Sequence, residues 1–284
     1  AVAVLLEARA KVDGGNAAAK SPLMLAAADA NVQIMAQLIA AGANVNFRGP
    51  RNSTPLIEAV ERHSIEAVKL LLAAKADPNA ARGDARPLLI LAAESEDPAV
   101  AQALLAAGAK SDAVDAAGRS ALSIAAENNK IEIVKALIAR RATVNAEDKS
   151  GMTALAYAAV RGHSKVVLML LNANADPNCA SRNGNTPLML SAQRGNTEVS
   201  QFLIGAHANL EARNQFGNTA LLIATQSNQT EIVRWLLSSG ANAFVRNKRR
   251  EDALALAQVT GNQALIQLLR DQKKSEGWLP DWLY

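Results

Sequence analysis

The chain has 284 residues, half of them apolar, 20% charged and only 3% aromatic, with a formal net charge of +4. Alanine and aliphatic side chains must therefore do the packing, and so mild a basic excess excludes a histone-like polycation. The single cysteine, Cys179, excludes an internal disulfide framework and a CxxC-type metal site, and no apolar run approaches the roughly 18 residues needed to span a bilayer.

Residues 1–20 contain LLEARAKVD (Leu5 to Asp13), which reads as the second helix and exit of an incomplete repeat. From Ser21 to residue 272 one pattern holds. Leu23, Leu56, Leu89, Leu122, Leu155, Leu188, Leu221 and Leu254 recur at a period of 33 residues. An alanine follows at a fixed offset in each unit, as Ala43, Ala76, Ala109, Ala142, Ala175, Ala208 and Ala241. Strict self-similarity at this period marks a stacked-repeat protein whose units bury their apolar faces against one another. Eight units open near residues 21, 54, 87, 120, 153, 186, 219 and 252.

Within each unit the elements follow in a fixed order. A helix N-cap residue comes first, as Ser21, Thr54, Ser120, Thr153, Thr186, Thr219 or Asp252, with Pro87 as the exception. Pro22, Pro55 and Pro187 stand at the next position, where a missing N–H is no loss. A short helix then carries one apolar stripe, exemplified by Leu155, Ala158 and Ala159. A second helix presents Val166, Val167, Leu170 and Leu171, matched by Ile133, Val134, Leu137 and Ile138 in the unit before. Both helices fall below the ~12–15 residues at which an isolated helix is even marginally stable, so stacking must hold them. A polar stretch such as NAEDKSGMT (Asn145 to Thr153) connects the units as a β-hairpin or extended loop. Residues 273–284 form an aromatic tail with Trp278 and Trp282, which reads either as a lid on the last repeat or as a linear motif for another protein.

GMTALAYAAVRGHSKVVLMLLNANADPN (Gly151 to Asn178) and GNTPLMLSAQRGNTEVSQFLIGAHANLEARN (Gly184 to Asn214) resemble the ankyrin-repeat pattern, and the resemblance extends over essentially the whole chain to about residue 272. It implies an all-α solenoid of stacked helix-turn-helix units with short β-hairpin loops. There are departures. The family histidine after TPL is replaced by Met24, Ile57, Ile90, Ser123, Ala156, Met189, Leu222 and Ala255. Lys75, Arg141, Asn174 and His207 occupy a left-handed position that the family gives to glycine, here kept as Gly42, Gly108 and Gly240. Glu58 and Tyr157 stand where other repeats have an aliphatic residue.

The resemblance also implies where a partner binds, on hairpin tips and the adjoining first-helix surface. Carried over by position, these are Arg48, Arg51, Arg82, Lys149, Arg182, Arg213, Phe216, Arg246, Lys248, Arg249 and Arg250 at the tips. First-helix positions add Arg62, Arg161 and Arg194 against Glu61, Glu94 and Glu127. The expected surface is a mostly basic stripe, interrupted near Asp115, which reads either as a solvated face or as a groove for an acidic partner. Phe216 reads either as an aromatic anchor or as folded back on its own repeat, and Trp278 and Trp282 are further candidate contacts.

Catalytic signals are absent. His63, His163 and His207 lie in different repeats without spaced cysteine or carboxylate partners, and Cys179 takes a position held by alanine in other repeats. No phosphate-cradling glycine loop is present, and no cofactor or small-molecule substrate is implied. The expectation is a non-catalytic protein-interaction module, monomeric alone, that binds a partner protein with an acidic surface as scaffold, adaptor or inhibitor. An inhibitor that neutralises a cognate enzyme or toxin, and the targeting part of a larger enzyme, are the alternatives. Nucleic-acid binding through the basic tips is disfavoured by the small charge excess and scarce aromatics. With no signal peptide in the sequence, the expected location is cytoplasmic; because the chain opens on Ala1, an exported (for example periplasmic) location after signal removal is the alternative.

Overall fold

The computed structural model of the chain describes residue 8, residues 10–15 and residues 19–275, the last as backbone only. These residues carry sixteen α-helices in two compact units, residues 1–143 and residues 144–284. In the first unit the helices are α1 (Pro22–Ala28), α2 (Val32–Ala40), α3 (Pro55–Glu61), α4 (Ile65–Ala73), α5 (Leu88–Glu94), α6 (Ala99–Ala106), α7 (Ala121–Glu127) and α8 (Ile131–Ala139). In the second they are α9 (Ala154–Arg161), α10 (Ser164–Asn172), α11 (Pro187–Arg194), α12 (Thr197–Gly205), α13 (Ala220–Gln226), α14 (Thr230–Ser238), α15 (Ala253–Thr260) and α16 (Gln263–Ser275). Inside each unit the first helix of a repeat packs on the first helix of the next, and the second on the second. The result is the all-α repeat solenoid that the resemblance implies.

Local chemistry sets the helix starts. Ser21, Thr54, Ser120, Thr153, Thr186, Thr219 and Asp252 each accept a hydrogen bond from an amide three positions on, at 3.0 to 3.4 Å. Pro87 makes no such bond. The leucine and alanine stripe is buried, as Leu155, Ala158 and Ala159 show. Six of the eight positions that lack the family histidine are buried apolar contacts, Met24, Ile57, Ile90, Ala156, Met189 and Leu222, while the buried Ser123 donates its hydroxyl to the Ser120 carbonyl at 2.8 Å and Ala255 is half-buried. Lys75, Arg141, Asn174 and His207 do adopt positive φ, between 58° and 68°. For all but Asn174 this costs a fraction of a kcal/mol to ~1 kcal/mol per site relative to glycine.

Two departures from the aliphatic pattern are satisfied by polar partners. The carboxylate of Glu58, almost buried, receives the ammonium of Lys20 at 2.8 Å and the hydroxyl of Ser53 at 2.9 Å. The Tyr157 hydroxyl donates to Asp148 Oδ2 at 2.6 Å.

The repeats are also held in register by a ladder that crosses from each to the next. Asp13, Asn46, Asn79 and Asp112 accept from the amides of Asn44, Asp77, Lys110 and Thr143 at 2.7 to 3.0 Å. In the second unit Asn145, Asn178 and Glu211 accept from Asp176, Asn209 and Asn242 at 2.7 to 2.8 Å. Each bond spans 31 positions.

The last helix runs through residue 272 to Ser275, so Lys273 belongs to the packing of the final repeat. Its ammonium meets Asp252 Oδ2 at 2.8 Å and lies 5.6 Å from the centre of the Phe244 ring. Both charged side chains are largely shielded. Burial opposes ionisation of Asp252, but the bond from Lys273, the Ala255 amide and the charges of Lys273 and Arg246 outweigh it and hold its carboxyl below the usual range. Trp278 and Trp282 lie outside the described residues.

Two outcomes are expected. Asn145→Ala removes its bonds to the Asp176 amide and to the Asn174 carbonyl and lowers stability by about 1 kcal/mol, read as a reduced urea midpoint. Because the folded-state pKa of Asp252 is depressed, its contribution is complete above the unfolded aspartate value near ~4 and is lost as pH falls through the lower folded value. Asp252→Asn, which can still cap α15, therefore lowers stability at pH 7 and flattens the loss of stability below about pH 4; an unchanged acid slope in thermal melts contradicts this assignment.

Candidate functional site

The loop tips have one repeated construction. The first residue's carbonyl accepts the amide three positions on, and the tip closes because its amide donates to the carbonyl four positions on. This bond is 3.0 Å from Arg82 to Arg86, from Asp115 to Arg119, from Asp148 to Met152 and from Ser181 to Asn185, and 3.1 Å from Asn214 to Asn218. Where the first position is Asp or Asn, its side chain also caps the turn. Asn214 Oδ1 accepts the amides of Phe216 at 2.9 Å and Asn218 at 3.0 Å, and Asn247 does the same for Arg249 and Glu251. The expected hairpins thus shrink to tight tips; isolated bridges join Ala81 to Pro87 and Val114 to Ser120.

In the second unit the tips are joined by backbone bonds. The amides of Arg182, Gln215 and Lys248 donate to the carbonyls of Ser150, Asn183 and Phe216 at 2.8 to 3.0 Å. Gly151 permits this approach. Its φ is +73°, and a Cβ there would stand 2.9 Å from the Arg182 nitrogen. The second and third tip positions project outward, so Lys149, Arg182, Lys248 and Arg249 are exposed.

The charges expected on this surface have different fates in the two units. In the first unit Arg82 pairs with Glu61 at 3.0 Å and Asp84 at 3.3 Å. Arg86 pairs with Glu94, and Arg119 reaches Asp115 at 2.9 Å and Glu127 at 3.8 Å. Asp115, which the sequence places at a tip without a base, is therefore matched by the residue that closes its own tip. Burial disfavours its charge, but the Arg119 amide and guanidinium and the Ala117 amide more than compensate and lower its pKa. Arg48 donates to Asn52 at 2.7 Å, and Arg51 is exposed with a φ of 53°.

The second unit differs. Among the described residues Lys149, Arg182, Arg194, Arg246, Lys248 and Arg249 make no ion pair, and Arg213 donates to the Arg246 carbonyl at 3.1 Å. Arg161 is exposed at the end of α9. Phe216 is 60% exposed and does not fold back onto its repeat. The basic stripe read from the sequence is thus internally neutralised at Arg82, and left without ion pairs at Arg48 and Arg51 in the first unit and at the second unit's tips. Sequence reading missed these pairings because Glu61 and Arg82 lie 21 positions apart.

Each unit also has a groove between tips and first helices. In the first unit it has a volume of about 660 Å³ and is lined by Glu61, Glu94, Glu96, Asp97, His63 and Arg82, among others. His63 Nδ1 lies 3.3 Å from the Ser95 hydroxyl. In the second unit the groove measures about 710 Å³, with Met189 and Ile223 on the helix side and Phe216, Lys248 and Arg249 on the tip side.

Cys179 is half-buried, with its Sγ 3.6 Å from Asp176 Oδ2. Burial, then the negative charge of Asp176 and the bond to it, then Glu147, push the thiol up to about 11. A thiol so poised stays protonated near neutrality. Among the described residues no group of three or more His, Cys, Asp or Glu is placed to hold a metal ion, and no helix is long and apolar enough to cross a membrane.

A family model for ankyrin repeats matches the chain three times, over residues 1–82, 89–181 and 173–247. No curated protein gives a significant match.

Cys179 is expected to react with iodoacetamide at pH 8 on the order of a hundredfold more slowly than free cysteine. Stopped-time alkylation read by intact mass checks this, and a rate equal to that of the free amino acid contradicts the raised pKa.

Proposed function

The chain belongs to the ankyrin-repeat family, whose repeats are generally protein–protein interaction modules, and we propose that it is a non-catalytic module that binds an acidic surface of a partner protein. The observation that carries this reading is the set of unpaired cations on the second unit's tips, Lys149, Arg182, Arg246, Lys248 and Arg249. Cations already matched by carboxylates, such as Arg82 and Arg119, offer little to a partner. Unpaired ones raise the local potential and steer an oppositely charged surface during encounter. Phe216, exposed among them, supplies an apolar contact that survives once the charges have guided the approach.

The module acts as a single copy holding one partner, in the manner of a scaffold, adaptor or inhibitor. Partner activity separates these roles: an inhibitor abolishes it at one-to-one stoichiometry, whereas a scaffold leaves it intact and recruits another protein.

The test uses the partner recovered from the source cell by affinity capture at moderate salt, followed by surface plasmon resonance. Arg213→Glu, Arg246→Glu and Arg249→Glu together are expected to slow association by about tenfold or more, with a smaller change in dissociation and unchanged helicity. Arg82→Glu, whose native residue is internally paired, has a smaller effect on association. If triple reversal leaves binding untouched, the partner does not use this face.

A further inference from the structure

The second unit's groove has features that the neighbouring tips do not. Its helix side sets the buried Met189 and Ile223 beside the polar Gln193, Gln226 and Ser227, and the exposed Phe216 ring lines the tip side. At its tip-side rim stand Lys248 and Arg249, neither of them in an ion pair. The one carboxylate on the lining, Glu251, already accepts the side-chain amide of Asn247 at 2.9 Å.

Inside the groove is an unmet hydrogen-bonding demand. Asn218 Oδ1 is shielded from solvent and has no donor, alone in this among the buried side-chain atoms of the described residues. A buried acceptor without a partner is a persistent cost to the folded chain. Rotation about the last side-chain bond of Asn218, a broad and soft torsion, turns this amide toward anything seated in the groove.

We propose that this groove seats an extended segment of the partner protein, one that places a bulky apolar side chain against Phe216 and a carboxylate at Lys248 and Arg249, with a backbone N–H donated to Asn218. The inference rests on the protein-binding reading above and names the partner chemistry. An extended segment fits best because a helix keeps free N–H groups only in its first turn, whereas an extended chain presents them along its length, beside the side chains that meet Phe216 and the rim. The acidic sign follows from the rim. The corresponding groove of the first unit carries Glu61, Glu94, Glu96 and Asp97 and does not offer the same partner a site.

The experiment is selection of displayed random dodecapeptides on the full chain, with affinities of the enriched peptides then measured by fluorescence anisotropy. Enriched sequences are expected to place Asp or Glu within two residues of Leu, Ile, Phe or Trp. Their affinity falls about tenfold in Phe216→Ala and in the Lys248→Glu, Arg249→Glu pair, and about fivefold in Asn218→Leu. Phe216, Lys248 and Arg249 are exposed, so their replacement leaves the fold intact, which circular dichroism checks. Arg48→Glu with Arg51→Glu leaves binding unchanged.

Enriched peptides without acidic residues, or acidic peptides indifferent to the three groove variants, overturn the proposal. If such peptides instead respond to Arg48→Glu with Arg51→Glu, the protein-binding reading stands while the groove assignment falls. Displacement of the peptides by a single-stranded oligonucleotide that binds more tightly and depends on the same residues identifies a nucleic-acid seat and also overturns it. The chain's own residues 276–284 carry Trp278, Asp281 and Trp282 and fit the same chemistry. Uptake of acidic peptides only after Trp278→Ala and Trp282→Ala in the full chain therefore makes that segment the occupant and overturns the assignment to a partner.

Discussion

Six successive repeats each lend a side-chain oxygen to a backbone amide 31 positions further on, through Asn46, Asn79, Asp112, Asn145, Asn178 and Glu211. Most of the helices run for only seven to nine residues, too few for any to persist alone in water. Burial of the leucine and alanine stripes provides the driving force for stacking, but apolar contact is non-directional and tolerates sliding. The ladder does not tolerate it, because a shift leaves amides without acceptors. Hydrophobic burial thus makes the stack stable, and the ladder fixes its register. Everything displayed at the tips inherits its position from that combination. The Glu211 rung shows what the ladder selects: a longer side chain is accepted as long as its oxygen arrives at the Asn242 amide.

The parts of this fold that could be read in the sequence are those whose causes lie within a few residues. The caps, the first-position prolines and the positive φ at Lys75, Arg141 and His207 all follow from local rules, and the structure bears them out. The lack of a cap at Pro87 was equally legible. The ladder left a signal too, since its acceptors recur at the repeat period; without geometry, those asparagines read only as turn residues. What could not be read was the choice of partner. Glu58 breaks the aliphatic pattern and is reconciled by Lys20, 38 positions away, and Arg82 finds Glu61 across 21 positions. Net charge is a sum over residues and carries no such pairing, so a count of bases overstates the free cation at Arg82 and overlooks the match between Arg119 and Asp115.

That distinction bears on function. The first-position Asp and Asn of the tips and the left-handed fourth position are committed to turn geometry, as the bonds of Asn214 and Asn247 show. The two positions between them face outward and hold no structural bond through their side chains at Lys248 and Arg249. A repeat protein can therefore alter those positions without altering its stack. The residues most informative about the partner are the ones least constrained by the fold, and in the second unit they include the cations Lys149, Arg182, Lys248 and Arg249, none of them in an ion pair.

The same logic separates Asn218 from its surroundings. Asn214, four positions earlier, is buried, yet every polar atom of its side chain has a partner: Oδ1 receives two amides of its own tip and Nδ2 donates to Asn185 of the preceding one at 2.9 Å. Asn218 sits beside this network with its oxygen idle. One repeat earlier Asn185 holds the same place and accepts the side-chain amide of the next tip's Asn214 at 2.9 Å, whereas the equivalent Asn247 donates to Glu251 at 2.9 Å and leaves the Asn218 oxygen without that donor. Local rules in a folded chain fail most informatively where a requirement outside the fold takes over. The idle oxygen lies between an exposed aromatic ring and two free cations, which is where a bound segment would bring both its own apolar side chain and its backbone donor.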